Sequence, residues 1–298
     1  MHTQYHRTSP IKTHSILWDG HRLDIGKRTL IMGVVNVTPD SFSDGGKFYS
    51  CRDAVAQGLK LTEDGADIID IGGESARPYS DEIPEEEEIR RVVTVIKELS
   101  GQIAIPISID TTKAGVARKA IEAGASIVND ISALCFDDEM AGIVSYYEVP
   151  VILMHMLGTP KTMQVAPNYD NVVQEIKTFL KKAVKRAEKG QIRRSKMIVD
   201  PGIGFGKTVE HNLELLNRLD EFHTLGLPIL IGPSRKAFIR NLLKKKNGND
   251  IFSDYQMVET GTQAAVATAV LRGAHIIRVH DVANTFATVK IIDAIKGT

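Results

Sequence analysis

Polar and ionisable residues follow short apolar runs at most points along this sequence of 298 residues. A loop cap or a turn would explain any one of them. Nearly every apolar run ends in this way, however, and that regularity predicts one shared site that contains acids, amides and bases. The residues in these positions are Asn36, Asp70, Asp110, Asn129, His155, Asp200, Lys236, Arg278 and His280.

Basic residues cluster after the last two apolar runs, in GPSRK (232–236) and RVHD (278–281). Guanidinium groups bind phosphate oxygens in a bidentate geometry, whereas a lysine acts as a mobile point charge. Arg235, Lys236, Arg278 and His280 are therefore candidates for holding a polyanion. An ion pair between Arg278 and the nearby Asp281 is the simpler alternative.

Two carboxylates and an amide come from the segments SIDT, VNDIS and VDPGIGFGK. Asp110, Asn129 and Asp200 together suit a flat heterocycle that presents several N–H donors and a carbonyl, because an asparagine both donates and accepts. Paired acid and base catalysis is the rival use. The GIGFG segment does not have the spacing G-x-G-x-x-G, so it does not indicate a dinucleotide site.

Two further residues could contribute to the same site. Arg77 precedes Pro78 in GGESARP, where the chain is restricted to extended conformations that can project a cation into a cleft. His155 ends the apolar run VPVILMH. It fits a buried, hydrogen-bonded histidine better than a metal ligand, because no second His or Cys lies at ligand spacing.

The elements that would position these residues alternate regularly. Eight β-branched apolar runs are separated by amphipathic segments rich in Ala, Glu and Lys, which is typical of βα units around a parallel sheet. Eight parallel strands over about 250 residues predict an α/β fold of the (β/α)8 (TIM) barrel type, with an open doubly wound sheet as the alternative. The runs span 29–37, 67–73, 105–110, 126–130, 149–155, 196–202, 227–234 and 275–281.

The barrel is expected to occupy residues 29–298 as a single catalytic domain. Residues 1–28 are expected to form a tail and a short β-hairpin around Asp19 and Gly20 that covers one end of the barrel. Active sites of such barrels lie at the carboxyl ends of the strands, and phosphate often binds after strands seven and eight. The chemical residues listed above would therefore converge.

The bulk properties exclude several classes of function. Lys plus Arg and Asp plus Glu both number 37, so the overall charge indicates neither nucleic acid nor an anionic membrane as a partner. No apolar run approaches the ~20 residues of a membrane span, and the first residues lack a signal-peptide core. Cys51 and Cys135 have neither metal nor disulfide spacing. We expect a cytoplasmic protein that acts on small molecules.

The ordered segments NVTPDSFSDGG, DIGGES, ARP, SIDT, NDIS, LMHM, DPGIGFGK, SRK and RVHD resemble those of the dihydropteroate synthase family. The similarity extends from about residue 20 to the C-terminus. It implies a transferase of folate biosynthesis that joins 6-hydroxymethyl-7,8-dihydropterin diphosphate to p-aminobenzoate, giving 7,8-dihydropteroate and diphosphate. It also implies Mg²⁺ as cofactor and a homodimer formed near the last helices.

The resemblance further implies a role for each matched residue. Asp110, Asn129, Asp200 and Lys236 would bind the pterin, Asn36, Arg278 and His280 would bind the diphosphate, and Asn36 would also bind the metal. Asp40, Arg77 and Lys236 would be catalytic, and Pro39, Phe42, Arg77 and Ser234 would form the p-aminobenzoate pocket. Gly45 and Gly46 would then be the hinge of a mobile loop over the site.

Two departures from the family pattern concern the second substrate. Ala76 stands where family members commonly have Thr, and Ala237 stands where they often have Ser. Because Ala237 lacks the hydroxyl of that Ser, the protein loses a contact for the p-aminobenzoate carboxylate. Two other functions remain as alternatives: methyl transfer from methyltetrahydrofolate to a corrinoid protein, which needs no diphosphate site, and pterin binding without catalysis.

Overall fold

The computed structural model describes residues 12–38, 51–244 and 255–297. The first two strands form an antiparallel hairpin, β1 (His14–Trp18) and β2 (His21–Ile25), in a sheet of their own. The turn between them is Asp19 and Gly20, both with positive φ, which matches the predicted position. Ile16, Trp18 and Ile25 are buried in the same apolar cluster as the barrel strands, so the hairpin packs on the barrel.

The other eight strands form one parallel sheet. All eight lie within the predicted runs and are shorter than predicted: β3 (Leu30–Asn36), β4 (Ile68–Gly72), β5 (Ile107–Asp110), β6 (Ile127–Asp130), β7 (Val151–Met154), β8 (Met197–Asp200), β9 (Leu230–Ile231) and β10 (Ile276–Val279). Most of their residues are buried, because helices cover the outside of the sheet and side chains fill its inside. The prediction of a (β/α)8 barrel is confirmed.

The strand order is β8-β7-β6-β5-β4-β3-β10-β9, and a bridge between Val199 and Ile229 closes the circle between β8 and the start of β9. The strand β9 is the shortest because Pro228 and Pro233 flank it, and a proline has no N–H to donate to a neighbouring strand. Because the sheet closes on itself, the alternative prediction of an open doubly wound sheet is excluded.

The helices of the described residues follow the strands in turn: α1 (Cys51–Glu63), α2 (Glu85–Ser100), α3 (Ala114–Glu122), α4 (Met140–Tyr146), α5 (Val172–Lys189), α6 (Val209–Asn217), α7 (Ala237–Leu243), α8 (Tyr255–Leu271) and α9 (Val282–Lys296). The residue types at their N-termini explain where several of these helices begin. Asn171 and Asp281 each cap a helix by accepting a backbone N–H three residues on. Pro84 is the N-cap of α2, and four glutamates follow it in the first turn.

Candidate active site

Arg278 lies at the centre of the charged cluster at the carboxyl end of the barrel. From β10 it donates through Nε to Asp70 Oδ2 on β4 and through Nη2 to Asp110 Oδ2 on β5, both at 2.6 Å. Asn129 on β6 donates to the same oxygen of Asp70 at 3.2 Å. Residues from four strands therefore form one hydrogen-bonded group. The alternative ion pair with Asp281 is wrong, because Asp281 caps α9 instead.

The charged side chains of this group are largely removed from water. Asp70 is fully buried, and its Oδ1 has no hydrogen-bond partner within the described part of the chain. Burial raises the pKa of Asp110, and the guanidinium of Arg278 opposes that rise. Burial lowers the pKa of Arg278, but Asp70 and Asp110 more than offset this, so that its pKa rises. Arg278 therefore stays charged and holds the two carboxylates close together.

Asp200 ends β8 and is held by the loop that follows. Its Oδ1 accepts the N–H of Gly202 at 2.7 Å, and Gly202 has a φ of 73°. A Cβ at that position would lie 1.9 Å from the carbonyl oxygen of His155, so the turn accepts only glycine. Burial raises the pKa of Asp200 to about 6, although the Gly202 N–H and the charges of Lys236 and Lys207 act against it.

Lys236 faces Asp200 from the next strand around the barrel. It is the N-cap residue of α7, and its Nζ lies 3.8 Å above the ring of Phe205, which is a cation–π contact. Burial and the charge of Arg278 lower the pKa of Lys236 to about 7, while Asp200 and Asp110 act in the opposite direction. The predicted pterin-binding residues thus share one buried electrostatic environment.

Ser234, which was assigned to the p-aminobenzoate pocket, lies next to His280, which was assigned to the diphosphate. The Oγ of Ser234 lies 2.9 Å from Nδ1 of His280 and also accepts the His280 backbone N–H at 3.3 Å. Burial lowers the pKa of His280 well below its usual value, and the cations Arg235, Arg278, Lys236 and Arg77 add to the effect. Arg77 is exposed in the β4–α2 loop, yet its positive charge still contributes to the lowered pKa of His280.

Asn36 ends β3 and is partly exposed, in register with Gly72 on β4. Its amide oxygen would lie 3.8 Å from a Cβ on Gly72, so it borders the Arg278 group. Across residues 12–38, 51–244 and 255–297, no three His, Cys, Asp or Glu side chains converge as a metal site. Pro39, Asp40, Phe42 and the glycines 45 and 46 lie outside the described residues.

The structure also shows residues whose roles the sequence did not predict. Asp70 was recognised at the strand end, but its position as the anchor of Arg278 and Asn129 was not. Below the pterin-binding residues lies a separate apolar cluster of Ile131, Met154, Met156, Met163 and Phe205, against which Ala76 packs. Met154 ends β7 and Met156 follows it, both within LMHM, whereas Met163 lies in the segment before α5 and had no local signal.

A (β/α)8 barrel whose carboxyl end gathers carboxylates, an amide and cations defines a class of heterocycle-binding and anion-binding enzymes. Residues 32–280 match the family model described as pterin binding enzyme. The dihydropteroate synthase of Synechocystis sp. is 43% identical over 91% of this chain and 92% of its own length.

Solved structures agree with the sequence comparison. The Xanthomonas albilineans dihydropteroate synthase with 4-aminobenzoic acid superposes with a TM-score of 0.86 and 42% identity, over 96% of this chain and 100% of that one. The same enzyme in complex with 7,8-dihydropteroate gives a TM-score of 0.81 and 41% identity over 94% and 97%. The chain belongs to the dihydropteroate synthase family of pterin-binding enzymes and is a transferase.

Proposed function

We propose that the cleft around Asp110, Asn129, Asp200 and Lys236 binds the pterin ring of 6-hydroxymethyl-7,8-dihydropterin diphosphate. The chain joins this substrate to p-aminobenzoate and releases diphosphate, as the family does. The observation that carries the residue assignment is the buried group that Arg278 organises, in which carboxylates from separate strands converge on one cleft. Carboxylate and amide oxygens are suitable acceptors for the N–H groups of a pterin.

The charge distribution suits the bond that breaks. Cleavage of the C–O bond puts negative charge on the diphosphate and positive charge on the pterin methylene carbon, so cations are needed at one end and carboxylates at the other. Arg278 as a cation and His280 as a neutral imidazole would bind the diphosphate, and Asp200 and Asp110 would stabilise the pterin. The amine of p-aminobenzoate then attacks the carbon, and no nucleophile from the enzyme is required.

Asp40, Arg77 and Lys236 are proposed to act on the reacting groups. The Lys236 ammonium lies over the Phe205 ring and interacts electrostatically with Asp200, so it would hold one edge of the pterin. Arg77 would contribute a positive charge, which already acts electrostatically on His280. Alignment of the two substrates would supply much of the acceleration, since correct orientation replaces a bimolecular encounter.

The p-aminobenzoate pocket is proposed to consist of Pro39, Phe42, Arg77 and Ser234. Ser234 is 4% exposed and already hydrogen-bonded to His280, so it links the two substrate subsites. Ala237, the first residue of α7, offers no hydroxyl to the carboxylate of this substrate. Weaker binding of p-aminobenzoate follows from that.

Mg²⁺ is proposed to bind through Asn36 and the diphosphate of the substrate. The donor set fits this ion, because Mg²⁺ commonly takes a single oxygen ligand from the protein and completes its shell with substrate phosphates and waters. Asn36 supplies one neutral amide oxygen. When bound, the ion would neutralise charge on the diphosphate, and Arg278 and His280 would continue to orient it.

A homodimer is proposed to form through the last helices. Leu271 on α8 and Phe286 and Ile291 on α9 are 45%, 41% and 64% exposed, and large apolar side chains gathered on packed helices suit an interface. Sedimentation analysis of Ile291→Glu beside the unmodified chain tests this. A dimer in both proteins would contradict the assignment of this surface.

Domain limits and location complete the proposal. Residues 29–298 would act as one catalytic barrel, with residues 1–28 as an appended tail and hairpin. A cytoplasmic location is supported by Cys51 and Cys135, which are free. Of the helices described, none has both the length and the apolarity to cross a membrane.

A diphosphate-release assay with the dihydropterin diphosphate, run with and without p-aminobenzoate, tests the function. Release that depends on p-aminobenzoate supports it. Binding of the pterin without any release would instead support a non-catalytic protein. Methylation of a corrinoid protein without diphosphate release would support the methyltransferase alternative.

A further inference from the structure

A second buried lysine lies directly behind the proposed pterin site. Lys207 is 3% exposed and is the last residue before Thr208, the N-cap of α6. Its Nζ lies 2.8 Å from the carbonyl oxygen of Phe205, 3.0 Å from Nδ1 of His155 and 3.5 Å from the carbonyl oxygen of His155. An ammonium has three N–H donors, so all of them have an acceptor.

His155 can serve as this acceptor only while its imidazole is neutral. Burial and the charge of Lys207 lower the pKa of His155 far below its usual value, so the ring accepts at Nδ1 at neutral pH. The ring packs edge-on against Phe179, with a centroid distance of 4.8 Å. The sequence-based interpretation of His155 as a buried, hydrogen-bonded histidine is confirmed, and its partner is Lys207.

The surroundings of Lys207 contain few charges. Burial lowers its pKa to about 7, and the charged groups that act on it are Asp200, which raises the pKa, and Lys236, which lowers it. Tyr169, whose hydroxyl donates to the Gly206 carbonyl oxygen, and His211, whose ring lies 5.0 Å from that of Tyr169, are further titratable groups near the same loop. Asp200 therefore supplies the negative charge that accompanies this lysine.

The hydrogen bonds of Lys207 reach the site through the backbone. Lys207 donates a hydrogen bond to the Phe205 carbonyl oxygen, and the Phe205 ring makes a cation–π contact with the Lys236 ammonium. In the same loop, the Gly202 N–H donates to the Asp200 carboxylate. The His155 N–H in turn donates to the Asp200 carbonyl oxygen at 2.9 Å. The Lys207 side chain thus joins the loop between β8 and α6 to His155, the residue that follows β7.

We propose that Lys207 is a positioning residue for pterin binding: its charge keeps Asp200 ionised, and its hydrogen bonds hold the 202–206 loop under the pterin ring. The proposal rests on the pterin site proposed above. A purely structural lysine would affect stability alone. A lysine that sets the charge of Asp200 also affects how pterin affinity depends on pH.

The direction of that effect follows from the charges. Pterin binding needs the ionised form of Asp200, so affinity in the unmodified protein rises as the pH rises through about 6. Removal of the Lys207 charge makes Asp200 harder to ionise, and this acid limb should then move to higher pH. Above pH 8 Lys207 is itself largely neutral, so the effect of its charge should disappear.

The experiment is calorimetric titration with 6-hydroxymethyl-7,8-dihydropterin from pH 5 to pH 9. This probe lacks the diphosphate, whose own ionisation near pH 6 would obscure the profile. Lys207→Met removes charge and hydrogen bonds, whereas Lys207→Gln removes the charge and keeps hydrogen-bonding capacity. We expect both to bind about 5-fold more weakly at pH 6, with the acid limb raised by about one pH unit.

Lys196→Met is the matched control. Lys196 is also buried, at 5% exposed, and donates to the Glu148 carbonyl oxygen, but it precedes β8 at the opposite end of the barrel. We expect a lower melting temperature and an unchanged pH profile. If Lys207→Gln, or Lys207→Met where it folds, keeps the unmodified profile, the role of Lys207 is refuted. If the unmodified protein binds no pterin, the site assignment falls first and the role of Lys207 falls with it.

Discussion

Lys196 and Lys207 flank the same strand, β8, and both are nearly buried, yet their surroundings differ. Lys196 donates to a backbone carbonyl at the amino end of the barrel. Other polar groups at that end are also bonded to the main chain: His275 accepts the Ile229 N–H at 3.0 Å, and Asp67 accepts the Ile31 N–H at 2.9 Å. The amino end therefore uses buried polarity to fix the chain.

The carboxyl end uses buried polarity differently. Arg278, Asp70 and Asp110 bond mainly to one another, and one oxygen of Asp70 is left without a partner among the described residues. Such an arrangement is costly in a free protein, because desolvated charges are only partly compensated. The comparison teaches that the strained end is the one prepared for a ligand that brings its own hydrogen-bonding groups.

The largest effect is expected from Arg278→Met. This change leaves Asp70 and Asp110 buried and close together without a cation, which costs about 3–5 kcal/mol of unfolding free energy. The matched change at the other end, Arg28→Met, breaks a pair with Asp67 in which the arginine side chain is 53% exposed, and should cost about 1 kcal/mol or less. Urea unfolding measures both. Equal losses would mean that the two ends do not differ as described.

Asp200→Asn should weaken pterin binding by about 10- to 100-fold, which corresponds to about 1.5–3 kcal/mol for a hydrogen bond to a charged group. The amide replaces an acceptor-only group with one of mixed polarity. Calorimetry should also show that the acid limb near pH 6 has disappeared, because the titrating carboxyl is gone. Asp24→Asn in the exposed hairpin is the control, and it should bind as the unmodified protein does.

Two buried groups, His275 at the amino end and Asp200 at the carboxyl end, should contribute to the pH dependence of stability with opposite signs. Burial lowers the pKa of His275 to about 3, so its stabilising contribution is complete above its unfolded pKa of about 6.5 and is lost as the pH falls. The raised pKa of Asp200 has the opposite consequence, a contribution lost as the pH rises through about 6.

The variant His275→Asn keeps an acceptor for the Ile229 N–H but cannot be protonated. It therefore measures how much the protonation of His275 contributes to the pH dependence of stability. It should remove about 2 kcal/mol of the stability loss that the unmodified protein shows between pH 7 and pH 5. Urea unfolding at the two pH values measures the difference. An unchanged acid slope would show that His275 is not held neutral in the folded state.

The smallest effect is expected from Ala237→Ser. A hydroxyl at the start of α7 should restore a contact to the p-aminobenzoate carboxylate, worth about 0.5–1.5 kcal/mol, and lower KM for that substrate by about 2- to 10-fold. KM for the pterin substrate should not change and serves as the internal control. No change in either constant would show that Ala237 does not face the second substrate.

The sequence was sufficient for the fold and for much of the site. Strand positions follow from apolar β-branched runs, and the convergence of Asp110, Asn129 and Asp200 follows from the parallel barrel, since every strand ends at the same rim. Strand ends were less accurate. The run 227–234 shrank to two paired residues because prolines stand on both sides of it.

The pairing of charges could not be read from the sequence. The carboxylate nearest to Arg278 along the chain is Asp281, but the arginine bonds instead to Asp70, which is 208 positions away. Side chains alternate across a strand, so the nearest residue in sequence need not share a face. The contact between Lys207 and His155 depends on a glycine turn whose path no local pattern specifies.

The bridge between Val199 and Ile229 gives the barrel a weak seam. Between β3 and β4 five residue pairs are in register, whereas β8 meets the start of β9 through that bridge and the bond from the Val199 N–H to Pro228. Asp200 ends β8 on one side of the seam, and Lys236 follows β9 on the other. A pterin bound to both residues would therefore connect the two sides. Amide hydrogen exchange at Val199 should therefore be slower in the complex than in the free protein, and bound substrate would reinforce the seam that the bridge closes.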